Sequence, residues 1–126
     1  MELPPEIKAA ALELVKAMKQ DSTIRLYLSA KEAVENDPEA SALESRLLEL
    51  YEDLIQRQSR GEELSEEHIR AFNALRYQVR FHPLIARREN ALAQIKPYLA
   101  QIAEEISDSL GIDYTILADA QCRGCS

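Results

Sequence analysis

Residues 35–59 read ENDPEASALESRLLELYEDLIQRQS, and this stretch decides the architecture. Proline at 38 disfavours the α region for the residue before it. Asp37 is therefore left outside the helix as a natural N-cap, and Pro38 opens the next helix, where its missing N–H costs nothing. Beyond it Ala40, Leu43, Leu47, Leu50 and Leu54 recur at spacings of three and four, a heptad-like seam. Leu48, Tyr51 and Ile55 add a second stripe, so the helix meets more than one neighbour. Run from Pro38 to Ser59, it is about 33 Å long.

The pattern extends in both directions. Upstream, Pro4 and Pro5 open a first helix that reaches about Lys19, with Ile7, Ala11, Leu14 and Met18 on one face. Asp21 or Ser22 caps a second helix, about Thr23 to Glu35, carrying Ile24, Tyr27, Leu28 and Val34. Downstream, Gly61 suits a left-handed C-terminal position. Ser65 caps a fourth helix, about Glu66 to Phe81, with Leu64 and Ile69 at staple spacing around the cap. Pro83 interrupts the pattern, and His82 is placed to cap a last helix, Leu84 to Leu110, which Gly111 closes. The expected fold is all-α: a long antiparallel helical hairpin with two shorter N-terminal helices packed on it, residues 1–112. A short C-terminal tail with a Cys-x-x-Cys pair completes the chain, residues 113–126. Long, narrow seams favour a second copy, so a homo-oligomer is expected through Leu92, Ile95, Leu99, Ile102 and Ile106, or through Leu43 to Leu54.

Composition narrows the function. The chain has 126 residues and a net charge of −7. Such a balance disfavours a surface that grips bare nucleic acid or an anionic bilayer. The first twenty residues lack a basic region before an apolar core, and no apolar run approaches a bilayer span, so the cytoplasm is the expected address. Phosphate-cradling glycine loops, a nucleophile elbow and His-Glu-x-x-His are all missing, and no enzyme activity is expected. His68 reads as a first-turn residue. The paired glutamates read as a solvated face, because adjacent helical residues point about 100° apart.

Two features retain chemical interest. Arg76, Arg80, Arg87 and Arg88 concentrate positive charge in an acidic chain, as a contact for an acidic partner or an RNA backbone, or as internal partners for the glutamates. Cys122 and Cys125 are the only cysteines. Their spacing lets both thiolates approach one metal, and Arg123 between them favours the thiolate form. Two thiolates are half of a closed zinc or iron–sulfur site. The reading is therefore an iron–sulfur cluster or zinc ion shared between chains, with a redox pair or an incidental spacing as the alternatives.

Residues 27–50, YLSAKEAVENDPEASALESRLLEL, resemble the Y…AK.AV..DPEA..L signature of the YlbF/YmcA family of bacterial regulators, through Tyr27, Ala30, Lys31, Ala33, Val34, Asp37, Pro38, Glu39, Ala40 and Leu43. Residues 80–113 resemble the family's second half, where a polar residue, commonly Asn, precedes proline; here the step is His82-Pro83. The resemblance implies a small helical, oligomerising regulator without catalysis of its own. It implies paralogous partners and a complex that steers an endoribonuclease in mRNA processing, in control of competence, sporulation and biofilm formation. Iron–sulfur clusters are associated with that complex, and a cysteine-bearing C-terminus occurs in the YlbF-like branch. The tail here is shorter and holds fewer cysteines, which favours a shared cluster over an independent one.

Overall fold

The computed structural model describes residues 2–123, with side chains through Ala118. Among these residues the chain forms helices and no strand: α1 (Pro5–Met18), α2 (Ser22–Asn36), α3 (Pro38–Ser59), α4 (Glu66–Phe81), α5 (Pro83–Leu110) and α6 (Tyr114–Arg123). No described helix is long and apolar enough to cross a membrane. The chain divides into two compact units, Met1–Ala91 and Leu92–Ser126.

In the first unit, local signals set each boundary. Asp21 caps α2 by accepting a hydrogen bond from the Thr23 N–H at 2.8 Å. Asp37 is extended, with φ −96° and ψ 113°, and its Oδ2 accepts from the Ala40 N–H at 2.8 Å. Ser41 ties the two sides of this junction together, its hydroxyl donating to the Val34 carbonyl at 3.0 Å. At the end of α3, Gly61 takes φ +81°. The Glu62 N–H reaches back to the Arg57 carbonyl and the Gly61 N–H to the Gln58 carbonyl, each at 3.0 Å, which together make a Schellman closure. Ser65 and His68 open α4 with a reciprocal capping box: Ser65 Oγ accepts from the His68 N–H, and His68 Nδ1 accepts from the Ser65 N–H, both at 3.2 Å.

Four helices meet at one apolar cluster. Val34 from α2, Ala40 from α3, Val79 from α4 and Ile85 from α5 are buried together, flanked by Leu43, Leu47 and Leu84. The cluster has an internal logic. Asp37-Pro38 joins α2 to α3, and His82-Pro83 joins α4 to α5. Val34 and Val79 each stand three residues before their cap, and Ala40 and Ile85 three after. Each helix–proline–helix elbow thus contributes the residue just before and just after its bend. The Val34 and Ile85 side chains are essentially fully buried, and burial of this kind stabilises by about 1.5–3 kcal/mol per side chain.

α3 and α4 run antiparallel, with the Tyr51 and Phe72 rings 6.2 Å apart near the turn and Leu47 and Val79 nearer the elbows. α2 packs on α3. α1 differs from its neighbours: none of its residues is buried, and only Met18 is even half-buried. Of the two short N-terminal helices, packing on the hairpin is therefore seen for α2, while α1 leaves its apolar stripe in solvent.

In the second unit, α5 continues through Pro97 to Leu110. Gly111 takes φ +79°, the left-handed turn expected of it. The chain beyond Gly111 is more than a tail. Asp113 Oδ1 accepts from the Ile116 N–H at 3.1 Å and Ser107 Oγ accepts from the Tyr114 N–H at 2.9 Å, so α6 starts from a capped turn. Its apolar residues Tyr114, Ile116 and Leu117 stay exposed, and so do Leu110 and Ile112 before it.

Candidate functional site

The signature residues gather at the proline elbows. Ala30, Val34 and Ala40 are buried, Tyr27, Ala33 and Leu43 are half-buried, and Lys31 pairs with Glu35 at 3.2 Å on the surface of α2. Asp37 does double duty. Besides capping α3, its Oδ2 lies 3.6 Å from His82 Nε2, and Glu39 Oε1 lies 3.9 Å from the same nitrogen. On its other side, His82 Nδ1 accepts from the Leu84 N–H at 3.2 Å, which caps α5 as the sequence suggests. An acceptor at Nδ1 leaves the proton on Nε2, the nitrogen aimed at the carboxylates. Only 11% of the His82 side chain is exposed, so the imidazole is held between the two elbows. The sequence does not reveal that Asp37 and His82 converge. The available signal is that both precede proline and both come three residues after a valine.

The four arginines separate. Arg88 turns inward, forming a two-pronged contact to the Glu44 carboxylate, with Nη1 at 2.9 Å from Oε1 and Nη2 on Oε2, and it also contacts Glu89. Donating hydrogen bonds to the Glu44 carboxylate raises the Arg88 pKa above its ordinary value, outweighing the opposing effect of partial burial. Arg87 donates to the Ser29 hydroxyl at 3.2 Å. Arg76 and Arg80 remain on the surface of α4, Arg76 lying 6.0 Å over the Phe72 ring and Arg80 5.7 Å over Phe81. Among the described residues neither forms an ion pair. Internal pairing therefore absorbs Arg88, while Arg76, Arg80 and Arg87 have no carboxylate partner among the described residues.

An apolar groove runs between α3 and α4, lined by Glu44, Leu47, Leu48, Tyr51, Phe72 and Val79. Leu48, Tyr51, Ile55 and Ile69, all on these two helices, are each about half exposed or more. On the opposite side of the hairpin, Tyr77 and Phe81 stack at 4.4 Å beside Leu43 and His82, and both rings are exposed. The second unit carries the other predicted contact face. There Ile95 is buried, Leu92, Ile102 and Ile106 are half-buried, and Leu99 is exposed.

Of the predicted metal ligands, Cys125 and the side chain of Cys122 lie outside the described residues. Among the described residues, no group of three or more His, Cys, Asp or Glu side chains is arranged to hold a metal ion. The arrangement offers surfaces for contact, with elbows that fix how those surfaces are displayed.

No curated protein and no solved structure matches the chain. The family model described as control of competence regulator ComK, YlbF/YmcA matches residues 7–111, a span that includes both elbows and all four arginines. The chain belongs to this YlbF/YmcA family of regulators.

Proposed function

We propose that the protein is a non-catalytic regulatory adaptor that works by binding other proteins in the cytoplasm. One observation carries this reading. The α3–α4 hairpin is pinned at its elbows by the buried cluster, yet it displays Leu48, Tyr51, Ile55 and Ile69 to solvent. An exposed apolar strip on a rigid scaffold is characteristic of a protein-binding surface. Membership in a family of competence regulators supports the same conclusion. The partners we propose are paralogous family members and, through them, an endoribonuclease whose mRNA processing the complex modulates, with consequences for competence, sporulation and biofilm formation. Cys122 and Cys125 would add an iron–sulfur cluster or zinc ion shared across that complex.

The test is affinity capture from the native cytoplasm with the intact chain, compared with a Leu48→Asp/Tyr51→Asp variant. The expected result is recovery of a family paralogue and an endoribonuclease by the intact chain, with recovery lost in the variant at unchanged helical content. Equal recovery by both chains would remove this strip from the proposal.

A further inference from the structure

A cleft of different chemistry lies on the other side of the hairpin, beside the His82-Pro83 elbow. It holds about 450 Å³, and its lining includes Glu39, Leu43, Tyr77, Gln78, Phe81 and His82. Clefts of about 300–1,000 Å³ are the size that receives ligands. α4 supplies Tyr77 and Phe81, one turn apart, with ring centres 4.4 Å apart and planes tilted by 39°. Tyr77 is 64% exposed. α3 supplies Glu39 from its first turn, where the helix dipole favours a carboxylate. Glu39 Oε1 stands 3.9 Å from His82 Nε2. With His82 accepting at Nδ1, the one formal charge among the lining side chains is that of the Glu39 carboxylate.

A carboxylate beside an open aromatic face is what a guanidinium fills, flat on the ring with its N–H groups directed in plane to the oxygens. The chain builds both halves of this arrangement with its own arginines. Arg76 lies 6.0 Å over Phe72, Arg80 lies 5.7 Å over Phe81, and Arg88 holds Glu44 with two prongs. Tyr77 and Glu39 have no such occupant. Among the described residues no Lys or Arg lies over the Tyr77 ring, and none pairs with Glu39.

We infer that this cleft receives an arginine side chain of a protein partner, its guanidinium flat on Tyr77 and donating to Glu39, its aliphatic stem against Leu43. The net charge of −7 favours the approach of a basic segment. An ammonium makes the ion pair without the flat face and the fork, so lysine fits less well. Arg80, beside the Phe81 ring, is a like charge that works against the occupant. The cleft is apart from the strip of Leu48, Tyr51, Ile55 and Ile69, so a titration of the purified chain succeeds or fails independently of capture through that strip.

The test is titration of the full chain with the blocked tripeptide Gly-Arg-Gly, followed by amide and aromatic NMR shifts. Saturable shifts are expected around Tyr77, Phe81 and Glu39, with a Kd of about 1 mM for this single anchor. The citrulline tripeptide, of the same shape but uncharged, should bind about 10-fold more weakly or worse, and the lysine tripeptide should fall between the two. Glu39→Gln and Tyr77→Ala should each weaken the arginine tripeptide by about 5–10-fold at unchanged helical content, since both side chains are exposed. Arg80→Gln should tighten it. Absence of saturable shifts up to about 10 mM overturns the inference. So does equal binding by the citrulline tripeptide, by Glu39→Gln, or at a different acidic surface. Free methylguanidinium ion binding as tightly as the tripeptide overturns the assignment to an arginine carried on a partner.

Discussion

Arg88 and Glu44 show how one residue's role depends on what the fold places opposite it. Their side chains are 20% and 33% exposed, less than in the other ion pairs between acidic residues and Lys or Arg, apart from the Arg88–Glu89 contact. Partial burial and a two-pronged geometry make this pair worth more than an exposed one. Glu44→Ala and Arg88→Ala should each cost about 1–3 kcal/mol in chemical denaturation, and the double variant should cost less than their sum, with a coupling of about 1 kcal/mol. The raised pKa of Arg88 keeps its charge, and hence this contribution, fully present below the ordinary arginine range; it is lost only at higher alkalinity. Asp37 and His82 carry a second kind of residue-level load. Asp37→Ala removes the cap of α3 and the carboxylate facing His82, and should cost about 1–2 kcal/mol. His82→Asn keeps an acceptor for the Leu84 N–H and should be nearly neutral, whereas His82→Leu should lose about 1 kcal/mol. Calorimetry on the three variants checks the order. Caps of this sort are legible in sequence because Asp-Pro, His-Pro and Ser-x-x-His act within four residues. The Glu44 partner was not legible, because 44 positions separate it from Arg88 and only the folded elbows bring the two together.

At the scale of elements, the helices α2 to α5 obey their punctuation, and proline and glycine explain why. Pro38 and Pro83 each forbid helical continuation backwards, and Gly61 supplies the left-handed residue that ends α3. α6 was less legible. Asp113 is a cap, but the apolar residues after it point to burial rather than to the exposed helix observed, so the periodic signal was weak. α1 was legible as a helix and illegible as a partner, since an apolar stripe does not say whose surface covers it. The elbow cluster makes the sharpest test at this scale. Ile85→Ala should cost about 2–4 kcal/mol by denaturant titration, more than Leu99→Ala, whose side chain is 42% exposed.

For the whole molecule, the burial pattern predicts a gradient of local stability. Amide hydrogen exchange should be slowest around Val34, Ala40, Val79 and Ile85, where four helices share one cluster, and fast in α1 and α6, whose described side chains bury nothing. The acidic net charge has a whole-molecule reading as well. With Arg88 engaged internally, Arg76 and Arg80 are a local exception to it, exposed positive charge on an acidic chain.

The pairing of the elbows also bears on the order of events in folding. α2 with α3 and α3 with α4 are sequence neighbours, so their contacts close short loops and form early. The four-helix cluster is different: it needs Ile85 to meet Val34, and the Arg87–Ser29 contact beside it joins residues 58 positions apart. Closing that span last would place Ile85 outside the folding nucleus. Ile85→Ala would then accelerate unfolding many-fold while leaving the refolding rate almost untouched, and the His82-Pro83 elbow would act as the latch that sets how long the native state lives.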